Sequence, residues 1–388
     1  MNLVKLKNIS IGQGNYGIGA AAVDYKSNLY KYLRITDINE DGTINENELK
    51  SVEDINAKDY LLKENDICFA RTGNSTGKSF FYDGTIKDLV YAGFLIKFSL
   101  DEKKVNPKYI KYYTLSNKYK NWVKEIQTGS TRGNINAKMY GDLEIELPER
   151  IYQDKVVKIL ETITNKIVLN RHTNNNLYAI GKALYQEYFE NEKYTRNYET
   201  KQLSDVTTNN RNKIDQSKEY KVLSAVNTGN LVLSDDYFDK QVYSKDIGKY
   251  LNVNKYDFAY NPARINIGSI GLNTFDFNCC VSPVYVTFSV DKDYIDFFDF
   301  YFKSKKFNAE VTLRASGSVR QALNYNDFGM IEIPYPTKEM IDKFNNLYKT
   351  LKERININKI KIRNLEQLQD TLLPKLMNGE IDLDKVKI

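Results

Sequence analysis

The two halves of this chain carry the same features in the same order. Gly129-Ser130-Thr131-Arg132 recurs, with an offset of 188 residues, as Gly317-Ser318-Val319-Arg320. An aromatic segment with helical character precedes each copy, and a short alternating strand closed by proline follows each. These flanking segments are residues 105–113 and 143–148 in the first half and residues 293–301 and 330–334 in the second. A repeated order of features indicates a repeated structural unit, so the 388 residues are predicted to form two similar α+β domains.

A long helix is predicted after each of the two strands. Apolar residues in both segments are spaced alternately by four and three positions, which is the a/d spacing of a coiled coil. The positions predicted to form the pairing seam are Ile163, Ile167, Asn170, Leu177 and Leu184 in the first helix and Leu351, Ile355, Asn358, Leu365 and Leu372 in the second. Because a buried Asn in such a seam fixes register at some cost in stability, we interpret Asn170 and Asn358 as register markers. The alternative is that both helices only fill the core of a helical bundle.

Composition permits nucleic-acid binding without requiring it. The formal net charge is +6, and the first residues lack an apolar run of signal-peptide length. No later segment has the roughly 18 consecutive apolar residues of a membrane span, so we expect a cytoplasmic protein without membrane contact. The three cysteines, Cys68, Cys279 and Cys280, form no C-x-x-C pair, and we expect reduced thiols and no metal site.

Three short motifs resemble parts of catalytic or nucleotide-binding sites, and none is complete. Residues 12–17 match G-x-G-x-x-G, but no suitable helix is predicted after them, which favours a glycine-rich surface loop. Residues 73–79 have three residues between their glycines, where a P-loop has four. Residues 261–264 resemble the Asn-Pro-Pro-aromatic tetrapeptide of amino-methyltransferases but lack the second proline and the aromatic. The only histidine, His172, lies on the first long helix, so the sequence favours a binding protein over a catalyst.

Taken together, these features resemble the specificity subunits of type I restriction-modification systems over nearly the whole chain. The resemblance depends on three sets of residues. They are the paired Gly-Ser-x-Arg loops with strands ending at Leu147-Pro148 and Ile333-Pro334, the segment 66–78 with its counterpart 257–271, and the C-terminal segment 372–381.

The resemblance implies the domain organisation and the partners. It implies target-recognition domains at residues 1–150 and 193–336, and long helices at residues 151–192 and 337–388 that pair as an antiparallel coiled coil with pseudo-two-fold symmetry. The implied partners are double-stranded DNA, two modification (methyltransferase) subunits and restriction subunits. S-adenosylmethionine, ATP and Mg²⁺ would then belong to the partner subunits, and this chain would be a non-catalytic subunit without a cofactor of its own.

Arginine and small polar residues in the repeated loops are the predicted DNA contacts. Arginine forms the commonest specific contact to guanine, and strand-end loops suit phosphate as well as base edges. Asp257 follows Asp66 by 191 residues, so we interpret Arg264 as the counterpart of Arg71. The predicted DNA-binding residues are Arg71, Lys78, Ser130, Thr131, Arg132, Arg264, Arg314, Ser318, Arg320 and Gln321.

Two other functions remain open from the sequence. One is a stand-alone DNA methyltransferase or nuclease that uses the tetrapeptide at residues 261–264 or an unrecognised carboxylate cluster. The other is an adaptor built from repeats, in which both domains bind proteins and the helices only dock.

Overall fold

The computed structural model describes residues 2–128, 133–196, 198–238, 241–315, 322–383 and 385. Contacts divide the chain into two compact units: unit 1 comprises Met1–Arg171 and Lys359–Ile388, and unit 2 comprises His172–Asn358. Each unit contains a globular α+β part and segments of two long helices, as predicted. No helix within the described ranges is both long enough and apolar enough to cross a lipid bilayer.

Unit 1 contains three sheets and a set of short helices that precede the first long helix. Its strands are β1 (Asn2–Lys5), β2 (Ser10–Tyr16), β3 (Ala22–Val23), β4 (Tyr30–Leu33), β5 (Lys50–Val52), β6 (Asp66–Ala70), β7 (Ser79–Tyr82), β8 (Leu89–Tyr91), β9 (Leu95–Leu100) and β10 (Glu144–Leu147). Its helices are α1 (Pro107–Tyr113), α2 (Asn117–Thr128), α3 (Ala137–Gly141) and the first part of α4 (Arg150–Phe189). The sheet orders are β2-β9-β6-β7, β3-β5-β4-β8 and β1-β10.

Unit 2 follows the same plan. Its elements before the second long helix are α5 (Glu192–Thr195), β11 (Glu199–Gln202), α6 (Leu203–Val206), β12 (Thr207–Asn209), β13 (Lys221–Val226), β14 (Asn230–Leu233), α7 (Ser234–Tyr237), β15 (Leu251–Val253), β16 (Phe258–Tyr260), β17 (Ile270–Leu272), β18 (Cys279–Val281), β19 (Val286–Val290), α8 (Ile295–Tyr301), α9 (Lys305–Ala315), α10 (Tyr325–Gly329) and β20 (Glu332–Tyr335). The second long helix is α11 (Lys338–Met377). The sheet orders are β12-β19-β16-β17, β14-β13-β18-β15 and β11-β20.

Two of the three sheets in each unit, together with the helices that follow them, have equivalents in the other unit. The order β2-β9-β6-β7 in unit 1 corresponds to β12-β19-β16-β17 in unit 2. The pairs α1 and α8, β10 and β20, and α4 and α11 begin and end with an offset of 188 residues, the offset of the sequence repeat. The repeat seen in the sequence is therefore a repeat of the fold.

The end of β20 differs from the prediction. Pro334 was predicted to close this strand, but it lies within β20, opposite Thr200, and the strand ends at Tyr335. Proline removes one backbone donor, and in a two-stranded sheet each strand has a free edge on which that loss is tolerated.

Both main hydrophobic cores include residues of both long helices. In unit 1, Val156 and Leu160 of α4 and Leu376 and Met377 of α11 pack in the core that contains Phe69. In unit 2 the opposite ends of the two helices pack in the core. The residues there are Tyr185 and Phe189 of α4 and Ile341, Phe344 and Tyr348 of α11. Burial of one large apolar side chain contributes roughly 1.5–3 kcal/mol, so the helices are structural parts of each globular core.

Within each unit the two helical segments run antiparallel. In unit 1 the Tyr152 hydroxyl donates to the Leu376 carbonyl at 3.1 Å, and Arg171 pairs with Glu366 at 2.7 Å. In unit 2 the amide of Asn358 donates to Oδ1 of Asn174 at 3.0 Å. Among the predicted seam residues, Ile163, Ile167 and Asn358 are buried and Asn170, Leu177, Leu184, Leu351, Ile355, Leu365 and Leu372 are half-buried.

The polar contact in the seam is formed by Asn358 and Asn174. Asn358 is 2% exposed, and its partner also donates to the Ile355 carbonyl at 3.4 Å. Asn170, which the repeat aligns with Asn358, donates to the Lys166 carbonyl of its own helix at 2.8 Å. The 188-residue offset aligns Asn174 with Ile362, whose side chain has no hydrogen-bonding group. Asn170 therefore cannot form the contact that Asn358 forms with Asn174.

We expect the Asn174–Asn358 pair to contribute to register more than to stability. Asn358→Leu should lower the free energy of unfolding by about 1–3 kcal/mol, because the carbonyl oxygen of Asn174 loses its donor in a partly buried seam. The double variant Asn174→Leu/Asn358→Leu should recover most of this loss. Chemical denaturation of both variants and of Asn174→Leu forms a complete double-mutant cycle. Equal and additive losses in the single variants would contradict a coupled pair.

The short helix α1 follows β9, and its equivalent α8 follows β19. Each forms ion pairs with the neighbouring long helix, and the signs of the paired charges are reversed between the two units. In unit 1, Glu161 of α4 accepts from Lys108 at 2.7 Å, Lys111 at 2.9 Å and the Tyr112 hydroxyl at 2.6 Å. In unit 2 the equivalents of Lys108 and Lys111 are acidic. Asp296 pairs with Lys352 of α11, and Asp299 pairs with Lys303 at 2.7 Å.

Among these charged residues, Glu161 should have the largest effect on stability when it is protonated or replaced. Burial alone would raise the pKa of its carboxyl, but Lys111, Lys108 and the Tyr112 hydroxyl outweigh burial and lower it from 4.5 to about 2. Since the folded-state pKa is depressed, this stabilising contribution is complete above pH 4.5 and is lost as the pH falls towards 2. Glu161→Lys should lower the free energy of unfolding by on the order of 3 kcal/mol, because three cations would then share a partly buried site.

Urea denaturation at pH 7 and across the acid range measures this effect. The matched control is Glu187→Lys on the exposed face of α4, which should change stability by no more than about 0.5 kcal/mol. Adding Lys108→Glu and Lys111→Glu to Glu161→Lys should restore stability, and failure of this reversal would show that Glu161 acts by packing alone.

Candidate functional site

Four of the predicted DNA-binding residues lie in the described part of the chain, and six do not. Ser130, Thr131, Arg132, Ser318, Arg320 and Gln321 lie outside the described residues. The other four are Arg71, Lys78, Arg264 and Arg314. Their side chains have very different surroundings, which separates them into residues with available donors and residues engaged within the protein.

Arg71 lies at one edge of the four-stranded sheet of unit 1. Strand β9 is antiparallel to both β2 and β6, so the ends of β2 and β6 and the start of β9 meet at the same edge. Arg71 follows β6 directly, Tyr16 ends β2 and Phe94 precedes β9. The Arg71 amide donates to the Phe94 carbonyl at 3.0 Å, and its carbonyl accepts from the amide of Ile135 at 3.0 Å. The backbone of Arg71 is therefore held from both sides.

The Arg71 guanidinium lies over an aromatic ring and has its donors available. Its central carbon is 4.9 Å from the ring centroid of Tyr16, whose hydroxyl accepts from the amide of Ala137 at 3.2 Å. Within the described ranges Arg71 has no side-chain hydrogen bond or ion pair, and its Nε is buried without a partner. The Tyr16 ring is 42% exposed, and Phe94, which precedes β9 at the same edge of the sheet, is 59% exposed. Neither aromatic was among the predicted site residues.

Lys78 is engaged by a carboxylate. Its ammonium is 3.0 Å from Glu40 and its side chain is 14% exposed. Residues 73–79 form a turn between the antiparallel strands β6 and β7, with Gly73–Ser75 as a short 3-10 helix, so they are not the strand–loop–helix of a P-loop. A cavity of about 270 Å³ lies beside this turn, lined in part by Lys78, Tyr119 and Lys120.

The interpretation of Arg264 as the counterpart of Arg71 is wrong by two residues. The carbonyl of Pro262 accepts from the amide of Leu323 at 3.1 Å, as the carbonyl of Arg71 accepts from Ile135, and Ile135 and Leu323 are 188 residues apart. Pro262 therefore holds the place of Arg71 in unit 2. Arg264 is exposed and precedes the 3-10 helix Ile265–Ile267, in a turn that is two residues further along the chain.

Arg314, near the end of α9, is engaged within unit 2. Its guanidinium donates to the Met330 carbonyl at 3.0 Å and lies 3.9 Å from the Glu310 carboxylate. Among the four described candidates, Lys78 and Arg314 therefore have intramolecular partners, and Arg71 and Arg264 retain donors for a ligand.

The glycine-rich segment at residues 12–17 was predicted as a surface loop and is a bulged strand. The pairing of β2 with β9 shifts register between Ile11 and Asn15. Gly12 provides the positive φ of 75° at the bulge, and a Cβ on Gly14 would lie 2.5 Å from the ring of buried Phe98. The glycines therefore permit a bulge and a close approach of strand to core.

Gly14→Ala should destabilise unit 1 by about 1–3 kcal/mol, because the added methyl group forces Phe98 or β2 to shift. The matched control is Gly19→Ala, since a Cβ on Gly19 has nothing within 4 Å. Thermal denaturation of both variants should show a lower midpoint for Gly14→Ala only. Equal midpoints would show that β2 adapts without cost.

The remaining motifs have structural surroundings. Oδ1 of Asn261 accepts from the amide of Ala263 at 3.1 Å, which builds the turn after β16. Cys68, Cys279 and Cys280 are buried and free, and burial raises the pKa of each thiol. The described residues contain no group of three or more His, Cys, Asp or Glu that could hold a metal ion, and His172 is exposed.

Comparison with known proteins identifies relatives and a fold. The domain described as "Type I restriction modification DNA specificity domain" matches residues 4–179. The type I restriction enzyme MjaIX specificity subunit of Methanocaldococcus jannaschii is 22% identical over 305 residues, which are 72% of this chain and 70% of that protein. The type I restriction enzyme HindI specificity subunit of Haemophilus influenzae is 24% identical over 148 residues, 37% of this chain and 32% of that protein.

A solved structure has the same fold across both units. The S subunit of a type I restriction-modification system from M. genitalium aligns with a TM-score of 0.54 and 14% sequence identity, covering 97% of this chain and 95% of that one. At this identity the similarity concerns the fold, and it includes the duplicated α+β unit and the long helices.

Proposed function

We propose that this chain, which belongs to the specificity-subunit family of type I restriction-modification systems, selects the DNA sequence on which such a complex acts. Each unit binds one half of a bipartite target in double-stranded DNA. The modification subunits, and restriction subunits where they are present, act at the sequence that this chain selects.

The duplicated fold is the observation on which this proposal depends. Two equivalent α+β units occur in one chain, and the similarity to a specificity subunit extends over 97% of its length. A duplicated binding unit suits a target with two separate elements, because each unit provides its own loops at equivalent strand ends. Those loops differ in sequence between the units, so the two elements need not be the same.

We further propose that catalysis and its cofactors belong to the partner subunits. Methyl transfer requires S-adenosylmethionine and restriction requires ATP and Mg²⁺, and we assign all three to the partners. The residues that suggested catalysis in the sequence support this assignment, because Asn261 and the glycines at residues 12–17 have structural functions in a turn and a bulge.

Methylation mapping tests the proposal. We expect a bipartite methylated motif in the genome of cells that contain this chain with its modification subunit, and loss of that motif in cells that contain the modification subunit alone. Single-molecule sequencing measures both. A motif that persists without this chain would contradict the proposal, and methyl transfer by the purified chain alone would favour a stand-alone methyltransferase.

A further inference from the structure

We infer that Arg71, Tyr16 and Phe94 form a guanine-recognition site in unit 1, and that the equivalent backbone position of unit 2 carries Pro262 instead of an arginine. This inference rests on the proposed function and adds to it the residues, the base and a difference between the two units. The three residues meet at one edge of the sheet β2-β9-β6-β7, each at the end or the start of a strand.

The surroundings of Arg71 favour a base over a phosphate as its ligand. Its backbone is fixed by the hydrogen bonds to Phe94 and Ile135, both of 3.0 Å. A guanidinium presents its donors in a planar fork, which suits the paired O6 and N7 acceptors of guanine in the major groove, and the fixed backbone sets where that fork begins. A phosphate contact requires only a positive charge within reach and gains little from such fixation.

Tyr16 limits the freedom of the guanidinium. The 4.9 Å separation between the Arg71 guanidinium carbon and the Tyr16 ring centroid is within the range of a cation–π contact, which contributes about 0.5–1 kcal/mol at an exposed site. The hydrogen bond from the Ala137 amide to the Tyr16 hydroxyl holds the ring in turn. The result is an arginine side chain oriented before DNA binds.

Phe94 provides an exposed apolar side chain at the same edge of the sheet as the arginine. Its side chain is 59% exposed although it directly precedes a buried strand, β9. A phenylalanine in the major groove contacts the methyl group of thymine. The site therefore combines one bidentate guanidinium with an apolar surface at the same edge of the sheet.

In unit 2, Pro262 occupies the place of Arg71. The backbone hydrogen bond from residue 323 to residue 262 repeats that from residue 135 to residue 71. Proline has no side-chain donor, so it cannot contact guanine O6 and N7. The two halves of the target are therefore recognised by different side chains at this place.

The test measures methylation by the purified complex of this chain with its modification subunit. The substrates are duplexes that carry each of the four base pairs at every position of the mapped motif. We expect Arg71→Ala to reduce the preference for guanine at one position of one half-site by about 5- to 150-fold. Arg71→Lys should lose a similar factor, because an ammonium keeps the charge but not the paired donors.

Two tyrosines provide the matched comparison. Tyr16→Ala should reduce the preference at the same position, whereas Tyr16→Phe keeps the ring and should retain most of it. Tyr25→Ala removes another exposed tyrosine of unit 1, 56% exposed, and should leave the preference unchanged. Recognition of the other half-site in each variant reports that the complex is folded and assembled.

The outcomes separate this inference from the proposed function. If the wild-type complex shows no motif that depends on this chain, the proposed function fails. If the motif is present but Arg71→Ala lowers methylation equally at all sequences, Arg71 contacts phosphate and the guanine site is wrong. The guanine site is also wrong if Arg71→Lys retains the full preference, since charge would then be sufficient.

Discussion

Each of the two main hydrophobic cores in this protein is completed by helical segments that are far apart in sequence. The core of unit 1 requires the start of α4 and the end of α11, and the core of unit 2 requires the end of α4 and the start of α11. Removal of either segment would expose aromatic and aliphatic side chains worth several kcal/mol of burial. The two helices are therefore a condition for folding of both units, and the recognition loops depend on them indirectly.

A duplicated chain with such a requirement must also distinguish its two copies. The charges between the short helix and the long helix provide a physical basis for this distinction. Glu161 of α4 faces the two lysines of α1, whereas Lys352 of α11 faces Asp296 of α8. Exchange of α1 and α8 would bring lysines against Lys352 and aspartates against Glu161, so the wrong combination places like charges together in partly buried surroundings. The Asn174–Asn358 pair also distinguishes the two copies, because the equivalent pair, Asn170 and Ile362, cannot form that hydrogen bond.

The sequence was sufficient to predict the features that depend on periodicity. The a/d spacing located both long helices, and the 188-residue repeat located α1, α8, β10 and β20. Features that depend on contacts between distant segments were missed or misplaced. The bulge in β2 interrupts the alternation of the strand, so its glycines resembled a loop. Asn174 could be chosen over Asn170 only from the pairing of the helices, which the spacing within one helix does not determine.

The candidate site illustrates why a residue match between repeats can mislead. The offset of 191 residues between Asp66 and Asp257 aligns Arg71 with Pro262, whereas Arg264 is the nearest arginine in the second copy. The structure explains how such different residues can occupy one place. At this position the backbone carbonyl accepts a hydrogen bond, from Ile135 in unit 1 and from Leu323 in unit 2. The side chain takes no part in this contact. A strand end fixed in this way tolerates arginine in one unit and proline in the other without loss of the fold. Side chains at these strand ends can therefore differ between the units, while the helices and main cores that hold them follow one plan.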